Sequence, residues 1–310
     1  MNTQTLKLSK LTAVYAIGAA ILCGAARAEE PVGVESDAEA GVALEKEKTA
    51  VVSGEFSLAF DSKYMSYGLV DNKDPILTPS AELTFFDVFY LGVESIFDTT
   101  KYGHRAGYTS RAWQYTELHM NAGLCYTLSP EDFEWLPTSI DLSLDYQYEY
   151  HPNSKRAYDE DGNLDKSWME DTQFWCFSIG LPDVWFEPVF YYERDVMRDE
   201  GTYLNLEIGH EFTLIEDTLT LRPSLAQGWG DQRRVTGYLD VNDGALMDTC
   251  AKLTLTWTIC EHLKLSCYGA YYDYLFCGDG IRDDVRGYEA TGDDDHTWHF
   301  VGGLALTASF

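Results

Sequence analysis

Past residue 24 the chain has no long run of apolar side chains, and no segment approaches the roughly 20 that a helix needs to cross a bilayer. Spanning helices are therefore excluded. Positive charge is also scarce, with 22 Lys and Arg against 51 Asp and Glu and a formal net charge of −29. Phosphates would be repelled, which argues against nucleic acid as a partner. Motifs that mark common chemistries are missing too: there is no C-x-x-C-H, no paired C-x-x-C, no H-E-x-x-H, no His-x-Ser and no G-x-S-x-G.

The N-terminus carries Lys7 and Lys10, then an apolar stretch from Leu11 to Gly24, then Ala26-Arg27-Ala28. That is the order of a cleavable export signal, which places the leader at 1–28 and starts the mature chain at Glu29. Ala20-Ile21-Leu22 lacks the small residue that lipidation of Cys23 would need. Losing Lys7, Lys10 and Arg27 leaves the remainder still more acidic. Residues 29–51 are rich in acidic and poor in bulky apolar side chains, the composition of a disordered periplasmic linker.

Aromatic residues are abundant, with 21 Tyr, 15 Phe and 8 Trp, although mean hydropathy is only −0.25. From residue 52 onward the dominant signal is alternation with period two, the mark of a strand with one apolar and one polar face. Ile140, Leu142, Leu144, Tyr146, Tyr148 and Tyr150 share one face, against Asp141, Ser143, Asp145, Gln147 and Glu149. Phe56, Leu58 and Phe60 oppose Glu55, Ser57 and Ala59, and Leu204, Leu206 and Ile208 oppose Asn205 and Glu207.

Segments of this kind fall near 52–62, 78–86, 88–98, 113–127, 138–150, 171–181, 185–195, 202–213, 218–229, 249–259, 262–276 and 296–310. Twelve is an even number, as single-chain bacterial barrels require. Links after even-numbered strands are short, at Asp87, Pro182 to Val184, Leu214 to Asp217 and Cys260 to Glu261. Links after odd-numbered strands are long: Lys63 to Leu77, Thr99 to Ala112, His151 to Glu170, Gly230 to Asp248 and Cys277 to Asp295. Val196 to Gly201 and Leu128 to Pro137 break the alternation. These features predict an all-β fold, a closed antiparallel transmembrane β-barrel of about 12 strands over 52–310 with both termini in the periplasm. The final strand sets Phe300, Gly302, Leu304, Leu306, Ala308 and Phe310 on one face, and a C-terminal Phe closing such a strand resembles the signal read by the bacterial barrel-assembly machinery.

The first hairpin, Leu58-Ala59-Phe60-Asp61-Ser62-Lys63-Tyr64-Met65-Ser66-Tyr67-Gly68-Leu69 followed by Asp74-Pro75, resembles the opening of the TorF-like outer-membrane proteins of proteobacteria. That family has a Ser-Asp-Tyr-x-x-Arg-Gly-like element before an acidic turn and a Pro. Here Asp61-Ser62 is reversed and Tyr67 stands at the Arg position. The resemblance implies a barrel and no particular reaction.

Polar strand positions are expected to line the lumen: Glu55, Glu82, Glu94, Glu117, Asp141, Asp145, Glu149, Glu207 and Glu211, with Arg222, Lys252 and Lys264 among them. A lumen rich in carboxylates attracts cations if it is wet and demands ion pairs if it is narrow. The implied function is a passive outer-membrane pore for small cationic or neutral solutes. A plugged structural or adhesion barrel and an outer-membrane hydrolase are the alternatives. The adhesion reading rests on Tyr102, Tyr108, Trp113, Tyr158, Trp168, Trp229 and Tyr238, and the hydrolase reading on Asp231, His210 or His299. Asp159, Asp161, Asn163 and Asp165, with Glu170, offer oxygen at the alternate spacing of calcium loops, although Gly162 and Leu164 depart from that pattern. Asp293 to Asp295 are a second candidate for divalent ions. No other cofactor is expected, and outer-membrane lipid is the surrounding partner. Cys125, Cys176, Cys250, Cys260, Cys267 and Cys277 are scattered along strands, which suits small apolar fillers, with Cys250 to Cys277 the one bridge that position would favour.

Overall fold

The computed structural model describes residues 52–100, 112–152, 171–239, 241–277, 281–283 and 296–310. The expected leader and linker lie outside the described residues, as do Asp159, Asp161, Asn163, Asp165, Glu170, Tyr102, Tyr108, Tyr158, Trp168 and Asp293 to Asp295.

The chain forms β1 (Val52–Asp61), β2 (Tyr64–Ser66), β3 (Leu69–Asn72), β4 (Ile76–Phe85), β5 (Phe89–Asp98), β6 (Gln114–Leu128), β7 (Ile140–Tyr150) and β8 (Thr172–Gly180). It continues with β9 (Val189–Asp195), β10 (Thr202–Gly209), β11 (Phe212–Ile215), β12 (Leu219–Gly230), helix α1 (Gln232–Leu239), β13 (Ala245–Cys260), β14 (Leu263–Asp273) and β15 (His299–Ser309). All strands except β2 and β3 form one antiparallel sheet, each paired with its neighbour in sequence, and the sheet closes where β1 meets β15. β10 and β11 are one span. The register that pairs Gly209 with Ser224 carries straight on to Phe212 with Leu221. Between them His210 N–H donates to the Pro223 carbonyl at 3.2 Å, and Pro223 has no N–H to return the bond. The fold is thus a closed twelve-strand antiparallel β-barrel.

The two faces separate as the alternation requires. Leu144 is 46% exposed in the bare chain, and Leu58, Phe60, Leu206, Leu253, Leu304 and Leu306 are likewise open on the outer surface. On the opposite parity, side chains meet across non-neighbouring strands, as where Tyr268 on β14 donates to Asp61 on β1 at 2.5 Å. An apolar exterior around a polar interior is the inverse of a soluble domain, and it is what lipid outside and water inside demand. Phe310 completes the closure: its N–H donates to the Gly54 carbonyl at 3.0 Å and its carbonyl accepts from Gly54 N–H at 3.1 Å. A Cβ at Gly54 would stand 2.4 Å from the Phe310 ring, so only glycine leaves that ring its seat.

Three links differ from the expected ones. The turn after β8 is longer than Pro182 to Val184, because Leu181 N–H and the Pro188 carbonyl close it at 3.0 Å with Glu187 at a positive φ. Lys63 to Leu77 is not an open loop. It folds as the hairpin β2–β3 around Tyr67-Gly68, both at positive φ, and runs on into β4 at Ile76. Gly230 to Asp248 holds α1, and β13 begins early at Ala245. The long turn before β7 is tied down by Asp183, whose carboxylate accepts from Ser139 N–H at 2.8 Å and from the Thr138 hydroxyl. Those Ser139 bonds hold the Asp183 carboxyl below the usual range.

Leu144→Arg, on the outer face of β7, should destabilise the folded barrel by up to about 2–4 kcal/mol in urea titrations from lipid vesicles. Ser143→Arg, between Asp141 and Asp145 on the inner face, should cost much less. Equal losses would contradict the assignment of faces.

Candidate lumen and outer plug

The end of the barrel that holds Val52 and Phe310 also holds the short turns. Around it the inner parity carries Glu55 opposite Glu82, Asp141, Asp145, Glu207, Glu211, Arg222 and Lys264. Asp141 accepts from the Thr127 hydroxyl at 2.7 Å, and Glu211 accepts from Thr220 at 3.1 Å. Two of the cations are engaged: Arg222 bonds Glu207 at 2.6 Å and stands 3.5 Å from Glu187, while Lys252 sits 4.3 Å from the Tyr268 ring centre.

The other half is filled. Hairpin β2–β3 and helix α1 turn inward and meet in a cluster built from Leu69, Tyr203, Val235, Tyr238, Leu239, Met247, Tyr274 and Ile281. Asp231 caps α1 by accepting Arg234 N–H at 2.9 Å, the bond expected of an N-cap aspartate. Gly201 lets the helix come close, since a Cβ there would lie 2.4 Å from Arg234 N.

At the centre is Arg234, wholly buried. Its Nη2 donates to Glu193 at 2.9 Å, its Nε lies 3.4 Å from Asp199, and its guanidinium carbon sits 4.9 Å from the Tyr67 ring, 5.2 Å from Tyr238 and 5.6 Å from Phe174. Tyr67 hydroxyl donates to the same Glu193 at 2.5 Å, and Tyr274 hydroxyl donates to the Tyr67 carbonyl at 2.6 Å. One cation therefore fastens helix, hairpin and barrel wall together. Burial raises the Asp199 carboxyl above its ordinary range despite the Arg234 charge beside it.

Between the plug and the wall of β6 and β7 lies a cavity of about 130 Å³. On its wall Glu117 and Glu149 alternate with His119 and His151, and Glu94 adjoins the row: His119 is 3.3 Å from both Glu94 and Glu117, and His151 is 3.6 Å from Glu117 and 3.2 Å from Glu149. Tyr64 of the hairpin donates to Glu117 at 2.9 Å.

Glu94, Glu117 and Glu149 thus come together, while the other carboxylates are spread around the barrel. Sequence reasoning passed over His119 and His151, although each stands two positions from a lumen glutamate on the same strand face. It also passed over Arg234, whose signal was Asp231 three residues before it. Asp231 and His210 do not meet, since Asp231 caps α1 in the plug and His210 stacks on Trp185, 5.0 Å away, at the opposite end. Tyr238 belongs to the plug's core rather than to an outer contact surface. All six described cysteines are free, and Cys277 Sγ donates to the Leu246 carbonyl at 2.8 Å rather than bridging to Cys250.

Fold and lining together define a membrane-spanning β-barrel with a charged lumen and an inward-folded plug. No family model matches the chain, the TorF-like group included, and no curated protein matches it. Among solved structures it is similar to the KdgM porin in complex with disordered oligogalacturonate, at 8% identity over 83% of this chain and 99% of that one, with a TM-score of 0.45. An outer-membrane channel from Pseudomonas putida F1 aligns at 12% identity over 87% and 100%, with a TM-score of 0.46. The NanC porin aligns at 7% identity over 82% and 98%, with a TM-score of 0.44. Likeness at this level names no solute.

Arg234→Ala removes the cation from between two buried carboxylates, a change that typically costs about 3–5 kcal/mol. The barrel should persist by circular dichroism while protease cuts segments 62–75 and 231–244 far faster than in the parent. Unchanged cleavage would show that Arg234 does not hold the plug.

Proposed function

We propose that this chain is a passive pore of the bacterial outer membrane, preferring small cations and neutral solutes, with its outer end held shut in the described conformation by the plug that Arg234 fastens. The single observation that carries this reading is the imbalance of fixed charge on the inner wall. Glu55, Glu82, Asp141 and Asp145 face the lumen at the open end, while Arg222 is already spent on Glu207. Uncompensated carboxylates in a low-dielectric tube concentrate counter-cations and repel anions. Export by the leader, and recognition of the strand ending in Phe310 by the assembly machinery, belong to the same proposal. The chain would be a conduit rather than a catalyst.

A second reading has its own support. The packed core of the plug, with Val235, Met247 and Tyr274 fully buried, suits a barrel that never conducts. Planar-bilayer recording separates the two. The parent should open rarely, and Arg234→Ala should open often and give a cation-selective reversal potential in a salt gradient. Glu82→Gln with Asp145→Asn, added to that variant, should weaken the selectivity. Anion preference, or silence in both proteins, defeats the pore reading, and silence favours the closed scaffold.

A further inference from the structure

We propose that Glu117, Glu149 and His151 form a binding site for a divalent transition ion of the zinc class, where the barrel wall faces the plug. The site goes beyond the pore reading and does not depend on conduction.

The argument begins with hydrogen-bond arithmetic. His151 Nε2 stands 3.2 Å from a Glu149 oxygen and 3.6 Å from a Glu117 oxygen. That nitrogen carries one proton at most, so it can satisfy one carboxylate and not both. Two carboxylates converging on one imidazole nitrogen therefore compete for its single proton. One divalent ion in place of the proton engages all three groups at once.

The geometry suits it. The three ligand atoms lie within 4.8 Å of one another. Ligands about 2.0–2.1 Å from a tetrahedral ion are separated by about 3.3–3.4 Å, and the two distances from His151 bracket that edge. The edge between the two carboxylates, within 4.8 Å, is the one that would shorten on binding. The same side chains line the cavity of about 130 Å³, room for the ion and for water on its remaining position.

The surroundings orient the ligands as metal sites require. Glu117 offers one oxygen to His151, and its other oxygen accepts from Tyr64 hydroxyl at 2.9 Å and faces His119 at 3.3 Å. His151 backbone N–H donates to Asp171 at 2.7 Å, fixing the end of β7. The donor set also chooses the metal. Calcium and magnesium take oxygen alone, whereas one imidazole with two carboxylates suits zinc and its first-row neighbours. Glu117 lies on β6 and Glu149 on β7, so the ion would pin two spans together and, through Tyr64, the hairpin of the plug.

The test uses the whole refolded barrel in detergent, stripped with chelator and titrated calorimetrically with zinc chloride. One ion per chain is expected, with binding weakened about tenfold or more by Glu149→Gln and by His151→Asn. Asp159→Asn with Asp161→Asn, in the acidic stretch of the sequence from 159 to 165, should bind as the parent does. Absence of stoichiometric binding by the parent, binding that survives both site variants, or binding lost with the Asp159 and Asp161 pair would each overturn the proposal. Folding of each variant is checked by heat-modifiable gel mobility. If a site variant does not fold, cobalt added to the parent decides: a visible absorption band that one equivalent of zinc displaces is expected, and no such band refutes the site.

Discussion

A sheet that crosses lipid has no water with which to satisfy its edges, so every strand must find two partners or leave a row of bare amides in hydrocarbon. Closure between β1 and β15 is therefore the constraint on which the rest of this molecule depends. Seven registered pairs, from Glu55 with Ser309 to Asp61 with Gly303, make that seam. Gly54 and Phe310 finish it by exchanging both backbone bonds. Once the seam fixes the register, every inner side chain is fixed with it, because a slip of one residue would turn the carboxylates to the lipid.

Inside the closed wall, a second balance sets the state of the lumen. Burying a guanidinium costs several kcal/mol, and the Arg234 site offsets this with two carboxylates and three aromatic faces. Because Glu193 serves both Arg234 and Tyr67, the hairpin and the helix are held by one shared anion. Such an arrangement is all or none. Withdrawing the helix strands Glu193 and Asp199, and withdrawing the hairpin takes the Tyr67 hydroxyl from Glu193 and its ring from Arg234, so the plug should move as a unit rather than fray.

The barrel was legible in the sequence because the forces that make it repeat every second residue. On β7 the oily and the wet positions alternate without error from Ile140 to Tyr150, and the links, apart from Val196 to Gly201 and Leu128 to Pro137, follow the same two-sided solvent. Where that periodic force ends, legibility ends too. Nothing in the spacing of Lys63 to Leu77 distinguishes a loop that leaves the barrel from one that enters it, since what draws it in is Tyr67 meeting Glu193, 126 positions away. Likewise α1 is only eight residues long, too short to announce itself by periodicity, and its helix is stabilised chiefly by contacts with the wall. The site residues divide in the same way. Glu94, Glu117 and Glu149 followed from strand parity, but their assembly with His119 and His151 depends on the stagger between β5, β6 and β7, which the sequence does not write down.

The wall and the plug are not independent systems, because the hairpin touches both. Tyr64 bonds Glu117 in the glutamate–histidine row, and three residues on, Tyr67 bonds Glu193 in the Arg234 cluster. Whatever charge the row carries is felt at one end of a short, tightly turned segment whose other end is the fastening. Coupling through a shared element is reciprocal: a change that strengthens Tyr64 on the row must strengthen the closed plug, and opening the plug must weaken what the row holds. The inner wall thus carries two groups of carboxylates with different work: Glu55, Glu82, Asp141 and Asp145 lie toward the end that holds the termini, while Glu193 and Asp199 fasten the plug through Arg234.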